Sequence, residues 1–145
     1  MRKILLVLLP LLFTACSMLG MGEPSNQLEV VEYGIFKNGA LVVQTDGVPI
    51  EMGESFGYRF KVKDPKAGTL KARIITATPG LIDPSKSEAS MDYVSEITLQ
   101  AGQTYDVFFT FSRPWEMVTG KWELRVETDK GEVLSHDFDV YKPGV

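Results

Sequence analysis

Apolar and polar residues alternate along most of the chain from Leu28 onward. Between residues 57 and 63, for example, Tyr58, Phe60 and Val62 alternate with basic residues. Successive side chains of a β-strand point to opposite faces, so a period of two predicts strands with one buried and one solvated face. We find no long stretch with the 3.6-residue period of an amphipathic helix. The pattern therefore predicts an all-β domain.

Eight segments are predicted to be strands. The first spans Leu28 to Lys37, with Val31, Tyr33 and Ile35 on one face. The other seven are residues 40–45, 57–63, 69–76, 95–99, 105–111, 122–127 and 134–140. Seven or eight short strands separated by turn signals are typical of an antiparallel sandwich, and a small β-barrel is the alternative.

Three connections can be interpreted from their residues. Asn38-Gly39 takes positive φ at low cost and is predicted to turn the first strand into the second. Asp129-Lys130-Gly131 suits a three-residue hairpin loop with a left-handed third residue. The segment from Thr78 to Asp92 is interpreted as one long loop, and loops of that length are often functional.

The first residues of the chain have a different pattern. Arg2 and Lys3 precede an apolar run from Ile4 to Phe13, which is half of the roughly 20 residues that a membrane-spanning helix needs. A charged start followed by a short apolar run is typical of a secretory signal peptide. The sequence therefore predicts an exported protein.

The end of this signal resembles a bacterial lipobox. Phe13-Thr14-Ala15-Cys16 has the only cysteine at its last position. The resemblance implies cleavage before Cys16, a diacylglyceryl thioether on its sulfur and an acylated amino terminus, which would anchor the protein in a membrane. The predicted organisation is a signal peptide at residues 1–15, a lipidated cysteine with a flexible tether at residues 16–27, and a β-sandwich domain at residues 28–145.

Several segments of the domain resemble a family of exported or lipid-anchored bacterial proteins known only as a domain of unknown function. The most specific is Pro114-Trp115-Glu116 followed by Gly120-Lys121-Trp122, and Glu32-Tyr33-Gly34-Ile35-Phe36 is moderately specific. The other matching segments are Gly53 with Phe56-Gly57, and Thr78-Pro79-Gly80-Leu81. The resemblance implies an immunoglobulin-like sandwich and transfers no catalytic residues.

Composition excludes several classes of function. The chain of 145 residues has a net charge of −4, which disfavours binding to nucleic acid. With Cys16 used for lipid, no thiol remains for a disulfide, a metal or a nucleophile. His136 is the only histidine, and we expect it to face solvent or a neighbouring polar side chain in its strand. We therefore predict no catalytic residues, no metal site and no cofactor, and we expect a monomer.

Three residues are the candidates for binding. Trp115 lies in a turn-like segment, where it could either cap the end of the sandwich or stand exposed as a binding anchor. Leu81 and Ile82 lie in the predicted long loop and could either fold back on the core or form part of an interaction surface. Trp122 alternates with polar neighbours, so it is predicted to fill the core.

Three functions are compatible with these features. We favour a lipid-anchored binding or interaction module of the cell envelope, with an envelope protein or a glycan as the partner. The alternative is a structural or assembly factor of the envelope that acts through its strand edges. An enzyme is the third possibility. The residue after the cysteine is Ser17 rather than Asp, which indicates an outer membrane location, facing the periplasm, if the host is Gram-negative.

Overall fold

A computed structural model describes residues 27–63, 68–86 and 88–144. The predicted signal peptide, Cys16 and the rest of the tether up to residue 26 lie outside the described residues. Within the described ranges, no helix has the length and the apolar composition that crossing a bilayer requires.

Nine β-strands and one short 3₁₀ helix form the described part of the domain. The strands are β1 (Leu28–Lys37), β2 (Ala40–Val43), β3 (Gly47–Pro49), β4 (Ser55–Val62), β5 (Thr69–Ile82), β6 (Ala89–Gln100), β7 (Thr104–Thr110), β8 (Gly120–Thr128) and β9 (Val133–Tyr141). The 3₁₀ helix spans Pro114–Glu116, between β7 and β8.

The strands form two sheets that pack face to face. The first sheet has the order β2-β1-β4-β7 and the second has the order β3-β9-β8-β5-β6. All neighbouring strands are antiparallel except β3 and β9. The predicted antiparallel sandwich is therefore confirmed. All eight predicted strands are present, and β3 is the ninth.

The predicted face of β1 is wrong at Val31. A β-bulge between Val30 and Glu32 puts one extra residue of β1 against β4, so the alternation changes at that point. Val31 is 56% exposed, whereas Leu28, at the start of the strand, is buried. The physical reason is that a period-of-two pattern assumes regular pairing, and a bulge moves the residues that follow it to the other face.

The predicted long loop from Thr78 to Asp92 is also wrong. β5 continues to Ile82 and β6 begins at Ala89, so most of this segment is a hairpin. A bulge between Ala77 and Leu81 absorbs Pro79-Gly80, with Gly80 at a φ of 120°. The Thr78 hydroxyl donates to the Met91 carbonyl (3.0 Å) and holds the bulge to β6. Pro and Gly usually break strands, but at a bulge both are tolerated.

The core between the sheets is rich in aromatic rings. Trp122 has no exposed surface and makes edge-to-face contacts with Phe56 (ring centroids 5.7 Å apart) and Phe111 (5.8 Å) of the opposite side. Tyr58 is also fully buried, and its hydroxyl donates to the Leu124 carbonyl (3.0 Å). The predicted core role of Trp122 is confirmed.

The two ends of the sandwich are made of different parts of the chain. Gln27 accepts a hydrogen bond from Lys63 at one end, which also contains the turns at residues 100–103 and 129–132; we call this the proximal end. The opposite end contains residues 50–54, the tip of the β5–β6 hairpin and residues 111–119, and we call it the distal end. The described chain thus enters at the proximal end.

Replacing Trp122 with alanine should strongly destabilise the domain. Removing a fully buried aromatic ring leaves a cavity and costs about 3 to 5 kcal/mol. Val133→Ala is the matched control in the same sheet, because Val133 is 43% exposed and such changes stay within about 0.5 kcal/mol. Urea unfolding monitored by circular dichroism measures both. A loss below about 1 kcal/mol for Trp122→Ala would contradict the core role.

Candidate functional site at the distal end

The 3₁₀ helix at the distal end is held by the carboxylate of Glu116. Its Oε1 atom accepts hydrogen bonds from the backbone N–H groups of Ser112 (3.0 Å) and Arg113 (2.8 Å), and from the Ser112 hydroxyl (3.0 Å). The Glu116 N–H in turn donates to the Arg113 carbonyl (3.0 Å). Three charge-assisted bonds to one carboxylate give this short segment a defined conformation.

Trp115 sits in this helix and packs against the core, half-buried. The segment that follows the helix is bound to the core, because the Trp122 indole N–H donates to the Val118 carbonyl (3.0 Å). Met117 and Val118 also pack against the core. Of the two roles predicted for Trp115, the cap describes its packing, and part of the side chain stays exposed.

The tip of the β5–β6 hairpin lies beside the helix. β5 contacts the 3₁₀ helix directly, and a methyl group built on Gly120 would lie only 2.9 Å from the Pro79 ring. Hydrogen bonds from Ser85 lower the pKa of Asp83 at the hairpin turn, and the charge of Arg113 lowers it further. The two segments singled out in the sequence therefore share one end of the sandwich.

Leu81 and Ile82 are neighbours with opposite environments. Leu81 has no exposed surface and belongs to the core, whereas Ile82 is 66% exposed. A side chain without exposed surface cannot touch a partner, so Leu81 supports the distal end from inside. Of the two, only Ile82 is available as a contact residue, at the end of β5, the strand that contacts the 3₁₀ helix.

A shallow depression of about 530 Å³ opens at the distal end. It is lined by Ile50, Pro114, Met117, Thr119, Lys142 and Pro143. The lining is mostly apolar, with one hydroxyl and one cation. Such a surface suits a partner that offers apolar contact together with a few acceptor groups.

Two residues that line the depression, Ile50 and Lys142, were not predicted from the sequence. Both are positioned by β3, which pairs in parallel with the end of β9, and the Ile50 N–H donates to the Tyr141 carbonyl (2.9 Å). The sequence feature that could have indicated β3 is the short run Val48-Pro49-Ile50, since a proline in an apolar run is compatible with an edge strand. Three residues of strand are too few to produce a recognisable alternation.

An acidic pair, Glu51 and Glu54, lies in the turn between β3 and β4 at the distal end. Burial raises the pKa of Glu54 to about 7, and the nearby charge of Glu51 and a hydrogen bond with it act in the same direction. The turn is tied to the adjacent segment because the Gly53 N–H donates to the Phe111 carbonyl (2.7 Å). Glu54 is therefore a carboxyl of the distal end whose pKa is raised toward neutral pH.

His136 lies away from the distal end, on β9. Its Nε2 atom is 2.5 Å from Oδ1 of Asp46, and its ring is 4.4 Å from that of Tyr33. The expectation that it faces a neighbouring polar side chain is confirmed. In the part of the chain that the structure describes, no three His, Cys, Asp or Glu side chains come together as a metal-binding group.

Comparison with known proteins identifies the fold. A family model described as Domain of unknown function (DUF3859) matches residues 22–140. The fold is similar to that of an immunoglobulin-like protein from Pseudomonas aeruginosa, with a TM-score of 0.65 and 24% identity over 81% of this chain and 98% of that one. The sandwich is therefore immunoglobulin-like. No curated protein sequence matches the chain.

Two further structural similarities are too weak to support a functional inference. A β-glucosidase from Listeria innocua has a TM-score of 0.41 and 16% identity, over 81% of this chain but only 16% of the enzyme. The soluble domain of PmoD from Methylocystis sp. also has a TM-score of 0.41, with 14% identity over 85% of this chain and 98% of that domain.

The raised pKa of Glu54 predicts that stability falls as the pH rises. The ordinary pKa is 4.5 and the folded value is about 7, so between these values the folded state binds more protons than the unfolded state. The stabilisation is complete below about pH 4.5 and is lost as the pH passes 7. Because the side chain keeps some solvent contact, we expect a change of about 1 kcal/mol.

Urea unfolding at pH 5 and pH 7.5 tests this, with Glu54→Gln as the comparison. The amide does not titrate, so the variant should lose this part of the pH dependence. An unchanged pH dependence in Glu54→Gln would show that Glu54 titrates normally.

Proposed function

The chain belongs to the family described as Domain of unknown function (DUF3859), and we propose that the protein is a lipid-anchored binding module of the bacterial cell envelope without catalytic activity. An immunoglobulin-like sandwich is a rigid scaffold that many unrelated functions share. The function must therefore be argued from the surfaces that this sandwich presents.

The observation that carries the proposal is the separation of the two ends. The described chain enters the sandwich at Gln27, at the proximal end, whereas Trp115, Ile82 and the depression lie at the distal end. β5 connects the two ends, and because its bulge absorbs two of its 14 residues, the strand spans about 40 Å at about 3.3 Å per residue. A tether attached at residue 27 would therefore leave the distal end as the end farthest from the attachment point and free for a partner.

The anchor is proposed to be lipid on Cys16. The support is the charged start, the short apolar run and the lipobox-like segment before the cysteine. Each buried methylene of an acyl chain contributes about 0.8 kcal/mol to membrane binding, so several chains on one cysteine hold permanently. Ser17 after the cysteine favours the outer membrane, facing the periplasm, in a Gram-negative host.

The proposed contact surface consists of three features of the distal end, which are Ile82, the exposed part of Trp115 and the depression. The rigid sandwich positions these residues without needing to move, which lowers the entropic cost of binding. An envelope protein or a glycan is the proposed partner, since both are within reach of an anchored domain. Nucleic acid is not, because the chain is acidic.

A structural or assembly role through strand edges is the second candidate. It is favoured by β6, a 12-residue strand at the edge of the second sheet. An enzyme is less well supported. The His136 ring is paired with Asp46 and packs against the rings of Tyr33 and Phe138. Among the described residues, no serine, threonine or cysteine side chain is hydrogen-bonded to it as a nucleophile would be.

Replacing Cys16 with serine should abolish lipidation. Serine lacks the sulfur that carries the diacylglyceryl group, so we expect the precursor to accumulate or the protein to be released from the membrane. Intact-mass measurement of the membrane fraction checks this directly. An unmodified Cys16 in the wild-type membrane fraction would contradict the proposed anchor, and sedimentation with inner-membrane markers would contradict the proposed location.

Replacing Ile82 with aspartate should reduce partner recovery without reducing stability. A charge at an exposed apolar contact weakens association by at least about 1 kcal/mol, which is roughly fivefold in affinity. The matched control is Val133→Asp, which changes an exposed valine at the proximal end. Cross-linking in intact cells followed by affinity purification and mass spectrometry measures the recovery, and thermal unfolding measures the stability.

Trp115→Ala separates the two roles of that ring. Because Trp115 packs against the core, we expect it to reduce both stability and recovery. Equal recovery for wild type, Ile82→Asp and Trp115→Ala would place the binding surface elsewhere.

A further inference from the structure

The second sheet ends in a long free edge. β6 has 12 residues, whereas the other edge strands, β2, β3 and β7, have 4, 3 and 7. An edge strand presents a row of backbone N–H and C=O groups that can pair with another chain. β6 is therefore the longest such row in the described part of the domain.

Three hydrogen bonds establish which backbone groups of β6 point outward. In the first, the Asp129 N–H donates to the Lys71 carbonyl (2.8 Å), so Lys71 points toward β8, and its neighbour Leu70 points toward β6. Leu70 is paired with Leu99. Leu99 and the other odd-numbered residues of β6 therefore point toward β5.

The other two hydrogen bonds agree with this assignment. The Ala101 N–H donates to the Gly68 carbonyl (3.0 Å), on the β5 side. The Gln100 N–H donates instead to the Tyr105 hydroxyl (2.7 Å), away from β5. The even-numbered residues therefore direct their N–H and C=O groups to the free edge. Between Asp92 and Thr98, no described residue pairs with these groups.

The same even-numbered residues place their side chains on the outer face of the sheet. Asp92, Val94, Glu96 and Thr98 are all exposed, and Val94 is 58% exposed. The odd-numbered Leu99 is buried in the core. A strand added to this edge would therefore meet two carboxylates, four residues apart, with an apolar side chain midway between them.

The two carboxylates lack ionic partners among the described residues. Glu96 is opposite Arg73 in the register, but the Arg73 guanidinium forms its ion pair with Glu127 (2.8 Å), on the other side. No ion pair between described side chains includes Asp92 or Glu96. Among the described residues, the β6 edge therefore has backbone groups without hydrogen-bond partners and carboxylates without ion-pair partners.

A second copy of this chain is a poor occupant. Antiparallel pairing of two β6 strands about Val94 would match the two valines but would place Asp92 directly opposite Glu96. Like charges directly opposite each other destabilise a strand pair. A strand with basic residues opposite Asp92 and Glu96 would instead form a favourable charge pair with each carboxylate.

We propose that the β6 edge binds an extended segment of another protein that carries the pattern basic, any, apolar, any, basic. The segment adds a sixth strand to the second sheet, pairs with the even-numbered residues of β6, and places its basic residues opposite Asp92 and Glu96 and its apolar residue opposite Val94. This interaction is independent of the distal end, so either proposal can fail without the other.

The probe is a fluorescent nine-residue peptide with the central sequence Lys-Thr-Val-Thr-Lys. Its binding to the full-length chain in a non-ionic detergent is followed by fluorescence anisotropy. A peptide with Glu in place of both Lys residues is the control for charge. We expect the Lys peptide to bind at least about tenfold more tightly than the Glu peptide, and to bind more weakly as salt is added.

Two proline variants test the backbone pairing. Val94→Pro removes an N–H group that points to the free edge, which a sheet tolerates, so the melting temperature should be nearly unchanged while affinity falls at least about tenfold. Ser95→Pro removes an N–H group that points toward β5 and should lower the melting temperature. This pair of results verifies the assignment of the free edge independently of the peptide.

Asp92→Lys/Glu96→Lys tests the charge without changing the backbone. This double variant should reverse the preference and favour the Glu peptide. Wild-type affinity in Val94→Pro, or equal binding of the Lys and Glu peptides, would overturn the proposal. If Ile82→Asp lowers the affinity for the Lys peptide and Val94→Pro does not, the peptide binds at the distal end. That result would also overturn the proposal.

Discussion

The indole of Trp122 joins the core to the distal end. Its ring lies on the second sheet and touches Phe56 and Phe109 of the first, with centroids 5.7 and 4.8 Å apart. Its N–H group donates to the Val118 carbonyl, in the segment that follows the 3₁₀ helix. Aromatic contacts of this kind contribute about 0.5 to 1.5 kcal/mol beyond the burial of their area. The same side chain therefore holds the sheets together and fixes the chain that forms the candidate site.

This dependence is strong because the chain has no covalent alternative. Cys16 is the only cysteine, so no disulfide can form between the sheets. Stability must come from burial, and the largest buried side chain is Trp122. The Gly-Lys-Trp segment that resembles the family is explained by this role in packing, without any need for chemistry at the indole.

Close approach of neighbouring strands explains the glycines of the other family segments. Gly34 and Gly57 are directly paired across β1 and β4, with φ of 137° and 154°. A methyl group on Gly34 would lie 2.0 Å from the Val43 carbonyl oxygen, and one on Gly57 would lie 1.9 Å from that of Val107. Any larger residue would force the strands apart. These segments are thus explained by how the sheet is built.

The sequence was sufficient to predict the regular strands and insufficient to predict the irregular ones. Alternation identified β4 and β8 because neither strand contains a bulged residue of its own, and Trp122 followed from the same pattern. Bulges broke the pattern at Val31 and at Pro79-Gly80, where local residue types carry no information about the partner strand. Ile82 and Trp115 could be singled out as unplaced apolar residues. That their two segments share the distal end could not be predicted, because it depends on how the strands are arranged in the two sheets.

The outer face of the first sheet offers little to a partner because its groups already satisfy one another. The Arg59 guanidinium is bound by Glu32, by Asp106 (2.6 Å) and by the Gly39 carbonyl (2.7 Å). It also lies 5.5 Å from the ring centroid of Phe36, which is 3% exposed. Binding there would have to replace contacts that are already made.

On the outer face of the second sheet, as far as the structure describes it, the charged groups at the centre are paired with one another, whereas those of the edge strand β6 are not. Ion pairs join Lys121 to Asp137 (3.0 Å) and Arg125 to Glu123 (2.8 Å), so the charges of β8 are largely neutralised locally. Exposed pairs of this kind add little stability, about 0 to 1 kcal/mol, but they do remove charge that could attract a partner. β6 lies beyond their reach and keeps its carboxylates unpaired among the described residues. A partner that covers an already paired group gains little, whereas a partner that supplies a contact to an unpaired group compensates the cost of removing that group from water. Association can therefore gain free energy at the β6 edge and at the distal end.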